Sequence, residues 1–430
     1  MRQAFRASVF HCLADPGPQA ERSAVEFYED GLLVVEDGVF TQIGPADKLL
    51  ASLPKDAQVE DLSGTLIIPG LIDCHVHFSQ LDIIASYGEQ LLDWLNRYAY
   101  PAEARFADAD HAHEVAGFFL DELLKNGTTT AMVFATVFPR SVDAIFEAAE
   151  KRNMRLIAGK VLMDKMCPDE LSDDAESAYG DSKALIERWH DKGRLGYAIT
   201  PRFALTSSEE QLEAAGRLAE EYPDTWVHTH LAENQEEVDQ IANQFAWSRS
   251  YLDVYDRFGL LRDRSMFAHC LYLDAVDRAL MAKKGGAGAF CPTSNLFLGS
   301  GLFDLDSMAD AGVRVGLATD VGGGTSLSLL KTMSEAYKVL HLQGQSLPAS
   351  RALYLATLGA AEALGLDDRI GSFAAGKEAD FVVLDAGGSS MTARRAQATT
   401  SLDELLFSLI FLGDDRNIAA TYLQGQRAKV

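Results

Sequence analysis

His75 and His77 stand two residues apart in the apolar run Leu71-Ile72-Asp73-Cys74-His75-Val76-His77. On a strand, a period of two sends both rings to one face, where neutral imidazole nitrogens can converge on a metal ion. Such a pair alone is more often core packing than a site. Three further segments change that balance. Trp226-Val227-His228-Thr229-His230-Leu231-Ala232-Glu233 carries a second His-x-His with a carboxylate three residues on, Phe267-Ala268-His269 ends in a histidine, and Gly316-Leu317-Ala318-Thr319-Asp320 ends in an acid. His75, His77, His230 and Asp320, with His269 beside them, offer a nitrogen and oxygen donor set suited to one Zn²⁺, or to a related borderline ion such as Fe²⁺. His228 shares the face of His230, but His230 lies nearer the strand end and is the preferred ligand. The competing roles are structural: Asp320 as the cap of a following helix and Glu233 as an acid at a helix N-terminus. His11, His111, His113, His190 and His341 lie near the terminus or on polar helical stretches and read as surface residues.

These residues need a scaffold that brings several strand ends together. Between Leu71 and Asp320, apolar strands alternate with helical stretches such as 108–125, 209–221 and 273–284. The strands expected are 71–78, 128–134, 154–163, 195–205, 225–231, 265–271, 286–291 and 313–319. Eight βα units in succession predict a (β/α)8 TIM barrel, whose catalytic groups stand at the C-terminal strand ends. The first strand ends in histidines and carries no glycine fingerprint, which speaks against a doubly wound nucleotide fold. From Ala4 to Ile68 the texture is one of short antiparallel strands, and it resumes at 379–385 and 418–425. The expected organisation is therefore a barrel at 69–370 with a small β-sandwich domain built from 1–68 and 371–430.

Bulk properties exclude several partners. The chain has 430 residues, 47% of them hydrophobic, and its 38 basic against 63 acidic side chains give a net charge of −25. Such a charge repels nucleic acid and anionic membranes. No window approaches a membrane span and no signal-like start is present. Cys12, Cys74, Cys167, Cys270 and Cys291 are odd in number and lack CxxC spacing. They point to a reducing cytoplasm in place of a disulfide framework.

The order of motifs resembles the amidohydrolase superfamily, in which a barrel carries His-x-His on strand one, histidines on strands five and six, and an aspartate on strand eight. The lead-in Pro69-Gly70-Leu71-Ile72-Asp73 and the late run Gly371 to Leu384 extend the resemblance over nearly the whole chain. Binuclear relatives bridge two metals with a lysine on strand four. Here that strand ends in Thr200-Pro201-Arg202-Phe203, and Lys160 falls on strand three, so one metal is expected. Within the superfamily the chain resembles the guanine deaminase family through Phe78-Ser79-Gln80, Leu91-Leu92-Asp93-Trp94-Leu95, Tyr100-Pro101-Ala102-Glu103, Thr200 to Phe203, His230 to Asn234, Cys291-Pro292-Thr293-Ser294-Asn295 and Thr319 to Gly324. Cys270 stands where relatives often have glycine.

That resemblance implies hydrolytic deamination of guanine to xanthine and ammonia, a step of purine catabolism or salvage, in a homodimer. Hydroxide generated on the ion would attack the carbon bearing the exocyclic amine. Glu233 would carry the proton, Asp320 would touch the metal and accept the water proton, and His269 would either ligate or polarise the reacting centre. The resemblance makes Arg202 the partner of the purine carbonyl, Gln80 that of the ring edge and Phe203 a stacking wall, with Trp94 at the same substrate site. Arg202 suits a carbonyl and rejects an amine. The nucleic-acid deaminases use H-x-E with P-C-x-x-C, which is absent, so a free base is expected. Rival readings are a deaminase of 8-oxoguanine or a pterin, a chlorohydrolase or amide hydrolase of the same superfamily, and, in another class, a catalytically silent metal-binding barrel.

Overall fold

In a computed structural model of the chain, which describes residues 2–54 and 57–429, every residue of Leu71–His77 is buried. A strand buried on both faces belongs inside a parallel sheet, and the sheet found there contains the expected eight strands. They are Leu71–His77, Thr128–Phe134, Arg155–Gly159 with its continuation Val161–Leu162, Leu195–Pro201, Trp226–Leu231, Ser265–His269, Ala287–Phe290 and Arg314–Leu317, hydrogen-bonded in chain order. Beyond the eighth strand, the Asp320 N–H donates to the His75 carbonyl at 2.9 Å and the His77 N–H donates to the Val321 carbonyl at 2.7 Å. Those two bonds bring the last strand back to the first, as a TIM barrel requires.

Helices Ala109–Lys125, Glu209–Glu221 and Ala275–Lys284 form where the 3.6-residue apolar period placed them. Ser208 and Asp274 cap the latter two through side-chain bonds to the backbone. Seven of the eight strands are shorter than expected, the third and fourth for a local reason. The third is interrupted at Lys160, whose N–H donates to the Tyr197 hydroxyl at 3.2 Å, and whose buried ammonium pairs with Asp173. The fourth ends at Pro201, which has no N–H to donate, and a 3-10 turn follows at Ala204–Thr206.

The terminal segments pair as expected, hydrogen-bonded as one path of seven strands that folds over itself, so that Phe40 and Phe381, four strands apart in the order, have ring centroids 6.4 Å apart in a shared core. Arg2–Cys12 runs parallel to Gln58–Pro69 and antiparallel to Val25–Glu36, while Phe381–Leu384 pairs with both Gln58–Pro69 and Ile418–Leu423. Phe5, Val9, Leu33, Phe40, Phe381 and Tyr422 form the core on one face, and Ala4, Leu32 and Val34 pack on the other. His11 lies inside this domain and is not on the surface: it is 2% exposed, bonded to Glu26 and to the Phe373 N–H. By contact density the chain groups into two units, one of residues up to Ile72, Asp121–Thr130 and Ser328 onward, the other of Asp73–Leu120 and Ala131–Leu327. Gly70 is required in the first: a Cβ there would lie 2.1 Å from Thr129 Oγ1. Among the described residues no helix is long and apolar enough to cross a membrane, and all five cysteines are free.

Candidate active site

The ends of barrel strands one, five, six and eight converge, and every residue of the cluster lies within the second unit. His75 and His77, on one face of the first strand, bring their Nε2 atoms within 3.1 Å of each other. His230 Nε2 lies 3.3 Å from that of His77. Asp320 Oδ1 lies 3.1 Å from His75 Nε2 and 3.4 Å from His77 Nε2. His269 Nε2 is 3.7 Å from Asp320 Oδ2, and its donor falls with those of His75, His230 and Asp320 in a group no wider than 4.8 Å. His228 stands one layer behind, its Nε2 2.7 Å from His75 Nδ1.

Strand direction alone does not aim these groups. Ala232, His269, Cys270 and Asp320 all adopt positive φ (51°, 72°, 54° and 49°), so the chain turns sharply at the strand ends. L-residues resist this left-handed conformation by roughly 1–2 kcal/mol each. Glycine adopts it freely, so a glycine would suit position 270 without this strain.

The donor set fits a metal ion. Burial lowers the pKa of His75 and His230 and pushes that of His77 down to about 3, so these rings are neutral and carry lone pairs. Burial works against the Asp320 charge, but its interactions with His75, His77 and His269 prevail and hold the carboxyl well below its ordinary value. His230 Nδ1 donates to the Arg202 carbonyl at 2.6 Å, and His269 Nδ1 donates to Asn295 Oδ1 at 2.8 Å. Their Nε2 atoms are thereby left as acceptors, the tautomer a metal ligand needs. His269 Nε2 is buried without any hydrogen-bond partner. Four tetrahedral bonds of about 2.0–2.1 Å put neighbouring donors about 3.4 Å apart; His77 Nε2 lies 3.1 Å from His75, 3.3 Å from His230 and 3.4 Å from Asp320, and His75 lies 3.1 Å from Asp320.

Glu233 enters the same space. The following helix, Gln235–Gln244, is capped by Asn234 and Glu237, so the Glu233 carboxyl is not used as a cap. It is 3% exposed, with Oε2 3.4 Å from His269 Nε2. Burial, together with the charges of Asp320 and Glu237, raises its pKa well above the usual carboxylate range. A cavity opens onto His77, His230, Glu233, His269 and Asp320. Gln80, Trp94, Arg202 and Phe203 all line that cavity. The Trp94 indole N–H is buried with no hydrogen-bond partner, a donor available to a ligand.

Sequence reasoning assigned no role to Glu103, His228 or Asn295. Glu103 is fully buried and binds Arg202 through both carboxylate oxygens. Its only sequence signal was membership of the Tyr100-Pro101-Ala102-Glu103 run. A lone acid beside a proline ordinarily faces solvent, so no spacing rule marks it.

The amidohydrolase family model matches residues 66–428 of the chain. The guanine deaminase of Escherichia coli (strain K12) is 51% identical over 409 residues, covering 95% of this chain and 93% of that protein. A solved structure of E. coli guanine deaminase superposes with a TM-score of 0.97 at 49% identity, over 99% of both chains. A guanine deaminase from C. acetobutylicum, with guanine bound in its active site, superposes with a TM-score of 0.91 at 29% identity, over 100% of both chains. With similarity running along the whole length, the chain belongs to the amidohydrolase superfamily and, within it, to the guanine deaminase family.

Proposed function

We propose that the protein deaminates free guanine hydrolytically, releasing xanthine and ammonia, at a single zinc ion held by His75, His77, His230 and Asp320. The observation that carries this reading is the convergence of Arg202, Gln80, Trp94 and Glu233 on one cavity beside four clustered donors. Ferrous iron suits the same donors. Bound there, a divalent ion supplies Lewis acidity, which makes water a usable nucleophile near neutral pH.

The protein's own groups do the rest. Arg202 donates to the C6 carbonyl oxygen of guanine, and Gln80 meets the adjoining ring edge. Phe203, 3% exposed, supplies a flat wall for the purine plane. The carbon bearing the amine lies between N1, which carries a hydrogen, and N3, which carries a lone pair. Glu233 in its protonated form donates to N3 as water adds; as a carboxylate it then takes the proton of the new hydroxyl group and passes it to the departing amine. Asp320 takes the first proton that water loses and returns it to Glu233, and His269 Nε2, an acceptor, holds the attacking water by a hydrogen bond.

A buried cavity of this kind receives a free base and not one held in a duplex, which needs flipping. Free cysteines, four of them buried, accord with action in the cytoplasm. Leu342, Phe407 and Leu412, exposed on two packed helices, give a homodimer apolar surface to bury. The test is an absorbance and ammonia-release assay on guanine, 8-oxoguanine, a pterin, adenine and cytosine. Guanine turnover well above the others is the expected result. Preference for a different heterocycle, or no ammonia from any, refutes the reading.

A further inference from the structure

One carboxylate from a third element reaches both Arg202 and Gln80, whose Nε2 also lies 3.3 Å from His77 Nδ1 at the start of its own turn. Glu103 sits on the short helix Tyr100–Ala104 and is fully buried. Arg202 Nη1 donates to its Oε1 at 2.9 Å and to its Oε2 at 2.7 Å. Gln80 Nε2 donates to the same Oε1 at 2.8 Å, and the Gly322 N–H donates to Gln80 Oε1 at 3.3 Å. Tyr100, on the same helix, places its ring 5.2 Å from the Arg202 guanidinium carbon. Burial alone would disfavour the Arg202 charge, but the Glu103 carboxylate outweighs it and keeps the guanidinium firmly protonated.

Two consequences follow from the chemistry of those bonds. A buried guanidinium without a counter-charge would be unstable or would recruit an anion, so Glu103 leaves the cavity with a neutral pair suited to an uncharged base. A carboxylate can only accept, so it turns the NH₂ end of the Gln80 amide towards itself. The Gln80 carbonyl oxygen takes the Gly322 N–H through one lone pair and keeps the other for a ligand. Arg202 as donor beside Gln80 as acceptor complements a lactam edge, C=O next to N–H. It opposes the amidine edge of an adenine-type ring, where an NH₂ stands next to a bare nitrogen.

We propose that Glu103 is a positioning residue that sets the selectivity of this site for a lactam edge, by orienting both groups that read it. The proposal rests on the guanine reading above. It assigns Glu103 no contact with substrate and no part in proton transfer.

The experiment compares unaltered protein with Glu103→Gln and Glu103→Asp, each carrying its metal as purified. Dissociation constants are measured by calorimetry for hypoxanthine, which has the lactam edge but no 2-amino group to lose, and for purine, which has neither. Glu103→Gln removes the charge and offers an NH₂ where only acceptors stood. Glu103→Asp keeps the charge but is one methylene short of spanning both partners. In both variants the preference for hypoxanthine over purine should fall by about tenfold or more, with purine affinity and metal content unchanged. The ratio does not depend on how much of a variant is folded, so a merely structural defect leaves it intact. In an Arg202→Gln background the Glu103→Gln change should move the ratio little further, because the two act as one unit. A preference that stays within about twofold of the unaltered protein in both variants overturns the proposal. The guanine reading fails separately, if the unaltered protein releases no ammonia from guanine.

Discussion

Glu233 is the residue whose identity most separates an enzyme from an inert metal site. Its carboxyl lies 3.4 Å from His269 and lines the cavity, while Asn234 and Glu237 cap the helix that follows. Glu233→Gln keeps the shape and the neutral charge but cannot release and recapture a proton. Turnover of guanine should fall by about 10²–10⁴-fold with metal content unchanged, as read by steady-state kinetics beside elemental analysis. Full turnover in that variant would remove Glu233 from the mechanism. The same scale shows the reach of spacing rules. His75, His77, His230, His269 and Asp320 were legible because each ends an apolar strand at the period that faces one side. Glu103 and Asn295 were not, because their contacts to Arg202 and His269 span 99 and 26 residues of sequence.

Elements were legible where one pattern decided them. The helices 109–125, 209–221 and 275–284 match their apolar periods, and the eight barrel strands occur in order. The misplaced limits of the third and fourth strands have local causes in Lys160 and Pro201. The strand Arg2–Cys12 hides a further one, since its last turn of side chains buries His11, a residue that composition alone left on the surface. Burial lowers the His11 pKa from 6.5, with the Glu26 contacts pulling less strongly the other way. The unfolded chain therefore takes up a proton first as pH falls, so this contribution is complete above about pH 6.5 and is lost between there and the lowered folded value. Urea denaturation at neutral pH and at about pH 5 should show a steeper loss of stability for the unaltered protein than for His11→Asn. Equal losses would mean that His11 titrates alike in both states.

At the scale of the molecule, the proposed ion would tie four buried donors together. Without it, His75, His77 and His230 crowd their lone pairs against one another and against the Asp320 carboxylate. Binding to the folded state alone stabilises by mass action, by about 4 kcal/mol when free metal stands a thousandfold above its dissociation constant. Chelation should abolish ammonia release and lower Tm in a thermal scan, and added zinc should restore both. A Tm indifferent to the chelator, with the metal shown to be gone, would place the ion outside the folding balance. Net charge acts at this scale too: −25 over the chain discourages polyanionic partners whatever the cavity binds.

The sequence by itself determined the repeated βα order, the pairing of the two termini into one small sheet domain, and which residue types end the barrel strands, because these follow from periodicity and composition along the chain. Only the tertiary structure decided that His230 and not His228 joins the cluster, that His269 keeps an unpartnered nitrogen beside it, and that Glu103 holds Arg202 and Gln80 together. Those outcomes depend on distances between segments far apart in sequence and on left-handed turns at the strand ends. His75-x-His77 could set two imidazoles on one face by spacing alone; the polarity of the cavity wall depends on how three separate elements pack.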